Sequence, residues 1–134
     1  MTRKVNCIML IDDNKYDNFY HNRIIMAGDY AAIVISKTSG LDAMDYLLHN
    51  DRPEYQQPDI IFLDINMPGM NGWEFLDEYD KLTDELKSKV IVVMLTTSEN
   101  PDDQAKALRY ATLSGFKSKP LTTEMLDEIL VKHF

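Results

Sequence analysis

The chain has 134 residues, a size for one compact domain, and 45% of them are hydrophobic against 27% charged. Fourteen Lys and Arg stand against 22 Asp and Glu, a formal net charge of −8. Such a chain repels nucleic-acid phosphates and anionic membranes at long range, so neither is an expected partner. No apolar run approaches a membrane span. The start, Met1 to Val5, is basic, but its apolar run stops at Asp12-Asp13, too early for a signal peptide. Cys7 is the only cysteine, which excludes an internal disulfide and a CxxC metal site. A reducing, cytoplasmic setting is the expectation.

Five short apolar runs alternate with longer amphipathic ones. Val5 to Ile11 is apolar at every position but Asn6, as in a strand buried on both faces. A helix follows, with Tyr16, Tyr20, Ile24 and Ala27 on one stripe and Gly28 at its end. Tyr16, Phe19, Tyr20 and Tyr30 are expected in the core. Ala31 to Ile35 is the second strand. Ser39 caps a helix that turns Ala43, Met44, Leu47 and Leu48 inward.

Asp51 to Pro58 reads as a loop, Ile60 to Leu63 as a third strand and Met67 to Gly72 as a turn. The next helix carries Trp73, Leu76 and Tyr79. Val90 to Leu95 is the fourth strand. Asn100-Pro101-Asp102-Asp103 opens a helix with a cap, an N-terminal proline and first-turn acids, and Ala105, Leu108 and Ala111 form its inner side. Gly115 to Ser118 is the last strand. Thr122 or Thr123 opens a final helix with Met125, Leu126, Ile129 and Leu130 inward. The pattern predicts (βα)5, a parallel sheet with helices on both faces.

Ligands of such folds bind beyond the carboxyl ends of the strands. The residues there are Asp12-Asp13, Asp64, Thr96-Thr97 and Lys119-Pro120. Lys37-Thr38 ends a strand expected at the sheet edge and ranks low. Three acids together repel one another unless something neutralises them. Mg2+ (or Mn2+) suits such a set, because it takes oxygen ligands and commonly uses one or two carboxylates plus phosphate oxygens. A lysine adds a point charge for phosphate, and a carboxylate can itself be a nucleophile. The set suits a phosphoryl group on one Asp beside a divalent metal.

In these residues the sequence resembles a response-regulator receiver domain, the phosphoacceptor module of two-component signalling. Asp12-Asp13 follows the first strand. Phe62-Leu63-Asp64-Ile65-Asn66-Met67-Pro68-Gly69-Met70-Asn71-Gly72, Leu95-Thr96-Thr97 and Lys119-Pro120 complete the match in order, over essentially the whole chain. The resemblance implies a doubly wound, flavodoxin-like sheet in the order 2-1-3-4-5, and a single receiver domain over residues 1–134 without an output domain. It implies that Asp64 is the phosphoacceptor. Asp12, Asp13, Asp64 and the Asn66 backbone carbonyl would hold the metal, Asp12 largely through water. Lys119, the Thr96 hydroxyl and the Thr97 backbone N–H would bind the phosphoryl group. Thr96 and Phe116 would act as the switch, and Pro120 would follow a cis peptide bond. Asn66 and Ser98 sit where the family tunes the lifetime of the phosphoryl group.

The implied partners are a histidine kinase or histidine phosphotransfer protein and a downstream protein bound through the fourth helix, fifth strand and fifth helix. The chain would be a monomer or weak dimer and not a small-molecule enzyme. Lys119 is preferred to Lys117 because it precedes the proline; Lys117 should point outward or toward a helix. A receiver fold that binds partners without phosphorylation is the alternative. A small-molecule phosphatase would need an acid where Asn66 stands. Other readings compete residue by residue: Asp12-Asp13 as a helix cap, Thr96 bonding to its own loop, Phe116 as core. His21, His49 and His133 match no metal or nucleophile spacing and are expected to be surface or partly packed residues. Cys7 is expected to be an inert buried thiol.

Overall fold

The computed structural model describes residues 4–87 and 90–134. The basic start read above, Met1 to Arg3, lies outside the described residues. The strands are β1 (Val5–Ile11), β2 (Ala31–Lys37), β3 (Ile60–Leu63), β4 (Ile91–Thr96) and β5 (Leu113–Ser118). They form one parallel sheet in the order β2-β1-β3-β4-β5. The helices are α1 (Lys15–Ala27), α2 (Gly40–Leu48), α3 (Gly72–Tyr79), α4 (Asp84–Lys87), α5 (Pro101–Ala107) and α6 (Thr123–His133). The flavodoxin-like (βα)5 plan therefore holds, with one addition. The single turn α4 buries Leu86 and is too short to leave a periodic signal.

Alternate residues of the central strands face opposite sides, so two apolar layers cover the sheet. Met9, Ile11, Ile61, Leu63, Val92 and Met94 meet the layer that holds Trp73, Phe75, Leu76 and Ala107. Ile8, Leu10, Ile60, Phe62, Val93 and Leu95 meet the layer of Ile25, Leu126, Ile129 and Leu130. With both faces covered, β1, β3 and β4 need near-continuous apolarity, which is why their sequences lack alternation.

Local chemistry sets the helix starts. Ser39, Asn100 and Thr122 cap α2, α5 and α6 through their side chains. Asn71 and Glu74 form a reciprocal capping box at α3. The fifth strand begins at Leu113 rather than Gly115. The irregularity opposite Val92 and Val93 admits Ser114 as an extra residue and hides the strand's first part from its pattern.

Three helix faces differ from expectation. In α1 the buried residues are Asn18, His21 and Ile25, while Tyr16 is 74% exposed, Phe19 64% and Tyr20 48%. Tyr30 alone of the four aromatics is buried. Ala27 is exposed and Ile24 half-buried. Apolar Tyr and Phe lost to polar Asn and His because the inner side of α1 at this end faces the charged strand ends, not the apolar layer. In α5, Ala105, Leu108 and Ala111 are exposed and Ala107 is buried. The helix ends at Ala107, so a stripe drawn through Ala111 has no helix to run along. In α2, Leu48 is exposed while Ala43, Met44 and Leu47 pack inward. Among the described residues no helix is long and apolar enough to cross a membrane.

Candidate functional site

The carboxyl ends of β1, β3 and β4 and the segment after β5 converge. Asp12 extends β1: its N–H donates to the Lys37 carbonyl at 3.0 Å. The Asp64 N–H donates to the Ile11 carbonyl at 3.0 Å, so β3 delivers Asp64 beside Asp12. The Lys119 N–H donates to the Thr96 carbonyl at 2.9 Å, which brings Lys119 across from β4. The following Lys119–Pro120 peptide bond is cis.

Asp12, Asp13 and Asp64 each offer a carboxylate oxygen, and these oxygens lie within 4.8 Å of one another. Asp12 and Asp64 are buried; Asp13 is exposed at the rim. Neither Asp12 nor Asp13 caps α1. Asn14 does, accepting from the N–H groups of Tyr16 and Asp17, so the two aspartates are left for the cluster. An all-oxygen set of two buried acids and one exposed acid fits a hard divalent cation that keeps some of its water. Asn66 is exposed beside Asp64.

Lys119 lies opposite. Its Nζ donates to Asp12 Oδ2 at 2.5 Å and to Asp17 Oδ2 at 2.9 Å, and stands 3.5 Å from Asp64 Oδ2. Burial works against the charge of this ammonium, but the hydrogen bonds to Asp12 and Asp17 and the charge of Asp64 outweigh it, and its pKa stands above the ordinary value. For Asp12 burial wins and the carboxyl titrates higher than usual, despite hydrogen bonds from Lys119 and the Asn14 N–H. Asp64 Oδ1 accepts the Ile65 N–H at 2.9 Å, leaving Oδ2 on the lysine side.

Thr96 is fully buried, and its hydroxyl oxygen accepts the Ser98 N–H at 3.2 Å. Thr96 is thus bonded to its own loop in this structure. Thr97 is exposed, and Ser98 Oγ donates to Asp103 Oδ2 in the first turn of α5 at 2.5 Å. Phe116 is half-buried against the layer that holds Trp73 and is paired in register with Met94. Lys117 turns away from the acids and donates to Glu128 of α6 at 3.1 Å. Cys7 is fully buried, and burial, then Asp59, pushes its thiol up to about 11.

Sequence reasoning missed three residues of this region, all on the inner face of α1. Asp17 reaches Lys119. Asn18 is buried, and its Nδ2 donates to the Asp12 carbonyl at 2.9 Å and the Lys37 carbonyl at 3.4 Å. His21, expected to be a surface or partly packed residue, is 3% exposed; with Asp12, Asn18 and Asp64 it lines a cavity of about 10 Å³. Burial, then the charge of Lys119, holds its imidazole below the usual range. The signal was present: Asn14, Asp17, Asn18 and His21 recur at helical spacing and run on into Ile25.

The sequence and the fold resemble those of known proteins. A family model of the response regulator receiver domain matches residues 8–131. Response regulator Rcp1 of Synechocystis sp. is 35% identical over 99 residues, covering 72% of this chain and 65% of Rcp1, so the chain spans somewhat less than two thirds of that relative. A solved two-component response regulator of Cytophaga hutchinsonii is 38% identical, covers 97% of both chains and superposes with a TM-score of 0.88. The phosphorylated cyanobacterial phytochrome response regulator RcpA is 30% identical, with a TM-score of 0.72 over 93% of this chain and 88% of that one. With an acidic strand-end cluster, a facing lysine and this match over nearly its whole length, the chain belongs to the response regulator receiver domain family.

Proposed function

We propose that Asp64 accepts a phosphoryl group from a phosphohistidine of a histidine kinase or histidine phosphotransfer protein, and that the modified chain binds a downstream protein differently. The observation that carries this reading is the cluster itself: three carboxylates within 4.8 Å of one another, one of them 3.5 Å from the Lys119 ammonium. In the transfer, Asp64 Oδ attacks phosphorus, the P–N bond breaks and the imidazole leaves with a proton from solvent. In hydrolysis, water attacks phosphorus, the P–O bond to Asp64 breaks, and carboxylate and inorganic phosphate result.

Asp12, Asp13, Asp64 and the Asn66 carbonyl are the candidates to hold Mg2+. When bound, the ion would neutralise charge on the acids and on the phosphoryl oxygens. Lys119 supplies a fixed positive charge to the same oxygens. Thr96 becomes a phosphoryl donor by exchanging its loop contact for a phosphoryl oxygen, and the Thr97 N–H adds a second donor. Displacement of Thr96 opens room beside β4 for Phe116. The surface of α5, β5 and α6 then changes its affinity for a partner, a shift between two populated states. Asn66 and Ser98 carry no acid or base for the attacking water, so these two positions supply no general acid–base assistance to hydrolysis.

The test uses acetyl phosphate as a small phosphodonor and intact-mass measurement. The expected result is one phosphoryl adduct with Mg2+, none with a chelator, and none in Asp64→Asn. An adduct that persists undiminished in Asp64→Asn would sink the reading.

A further inference from the structure

The Lys119 ammonium has three N–H donors and, in this structure, three carboxylates around it. It leans away from Asp64, 3.5 Å off, toward Asp12 at 2.5 Å and Asp17 at 2.9 Å, both on the β1–α1 side. A phosphoryl group on Asp64 brings strong acceptor oxygens to the far side of the same ammonium. Two of its three N–H groups are already donated, to Asp12 and Asp17, so movement of the ammonium toward those oxygens lengthens one of these hydrogen bonds.

The three acids differ in what release costs. The side chains of Asp12 and Asp64 are 6% and 9% exposed, whereas that of Asp17 is 36% exposed and water can take over its hydrogen bonds. Asp17 also lies in the first turn of α1, where the helix dipole favours a free negative charge. Among the described residues, Lys119 is the only hydrogen-bond donor to the Asp17 carboxylate. We propose that Asp17 is a positioning residue for Lys119: it holds the ammonium back toward α1 in the unphosphorylated chain and yields it when Asp64 carries a phosphoryl group. The proposal rests on the phosphoacceptor reading of Asp64. A merely structural Asp17 would stabilise α1 and leave phosphoryl binding unchanged.

The test is titration of the full chain with beryllofluoride in the presence of Mg2+, followed by NMR, with the Lys119 side-chain NζH3+ resonance as a second readout. Wild type should bind and Asp64→Asn should not; failure of that pair defeats the phosphoacceptor reading itself. Given that pair, Asp17→Asn and Asp17→Ser should bind about 2- to 5-fold more tightly, the size set by a partly exposed ion pair. Their Lys119 resonance without beryllofluoride should move from its wild-type position. Asp17→Glu, which keeps the carboxylate, should return both readouts toward wild type. Unchanged or weaker binding in both Asp17→Asn and Asp17→Ser, with wild type and Asp64→Asn behaving as stated, overturns the inference.

Discussion

Two residues set how much the site tolerates. A Cβ on Gly72 would stand 2.4 Å from the Asp64 carbonyl oxygen and 2.9 Å from the Ile65 Cα, both rigid backbone. The Gly72 N–H also donates to the Ile65 carbonyl at 2.8 Å, so α3 begins pressed against the Asp64–Ile65 backbone. Gly72→Ala is therefore expected to cost about 1–3 kcal/mol and to shift Asp64. Urea unfolding and the rate of acetyl phosphate labelling would both fall; an unchanged labelling rate would mean the strain is absorbed in α3. Lys119 is the other case. Its Ala variant leaves Asp12 buried without its cation, which costs roughly 3–5 kcal/mol when one partner of a buried pair is removed. Unfolding in metal-free buffer should show that loss, and Mg2+ should restore part of it. Lys119 was legible as strand-end chemistry and Gly72 as the end of a turn. The close approach at Gly72 was not, because a glycine in a turn has the same sequence signal whether or not backbone lies beside it.

At the scale of elements, α1 is the instructive departure. Its aromatic stripe, Tyr16 and Tyr20 with Phe19 beside it, is the apolar one, and it faces water. Its polar stripe faces the site. Periodicity alone assigns the apolar side inward, which is correct for α3 and α6, and for α2 apart from Leu48, because their inner neighbours are apolar. The inner neighbours of α1 at its N-terminal end are Asp12, Asp64 and Lys119, so hydrogen-bonding groups belong there. Two substitutions separate the two sides. Phe19→Gln should change stability by less than about 0.5 kcal/mol. Asn18→Ala leaves the buried Asp12 carbonyl without its side-chain donor and should cost about 1–3 kcal/mol. Chemical denaturation measures both, and equal effects would contradict the orientation of α1. β1, β3 and β4 were legible almost to the residue because burial on both faces leaves continuous apolar runs, whereas the edge strand β2 runs two residues beyond its reading, to Lys37. α4 and the start of β5 were not, since a single turn and an irregular register carry no period.

For the whole molecule, the doubly wound sheet and its charge act together. Parallel connections bring every strand's carboxyl end to one edge, so residues from four segments meet there without any sequence proximity. A prediction at this scale concerns alkaline pH. Burial, then a hydrogen bond to Asp77, pushes Tyr110 up to about 12, and burial, then Tyr46, pushes Tyr55 to about 12, both from 10.0. A folded pKa above the unfolded one gives stability that is complete below pH 10 and lost as pH rises through about 12. Unfolding free energy should therefore fall between about pH 10 and about pH 12, and Tyr110→Phe should reduce the fall. A flat profile would contradict the raised pKa values of these two half-buried tyrosines.

The central claim is that one carboxylate among three adjacent acids takes the phosphoryl group. Borohydride reduction of the acetyl phosphate-treated, Mg2+-loaded protein, followed by peptide mass spectrometry, locates an acyl phosphate to a single residue. The account predicts modification at Asp64 alone; modification at Asp12, Asp13 or Asp17, or at no aspartate, would contradict it.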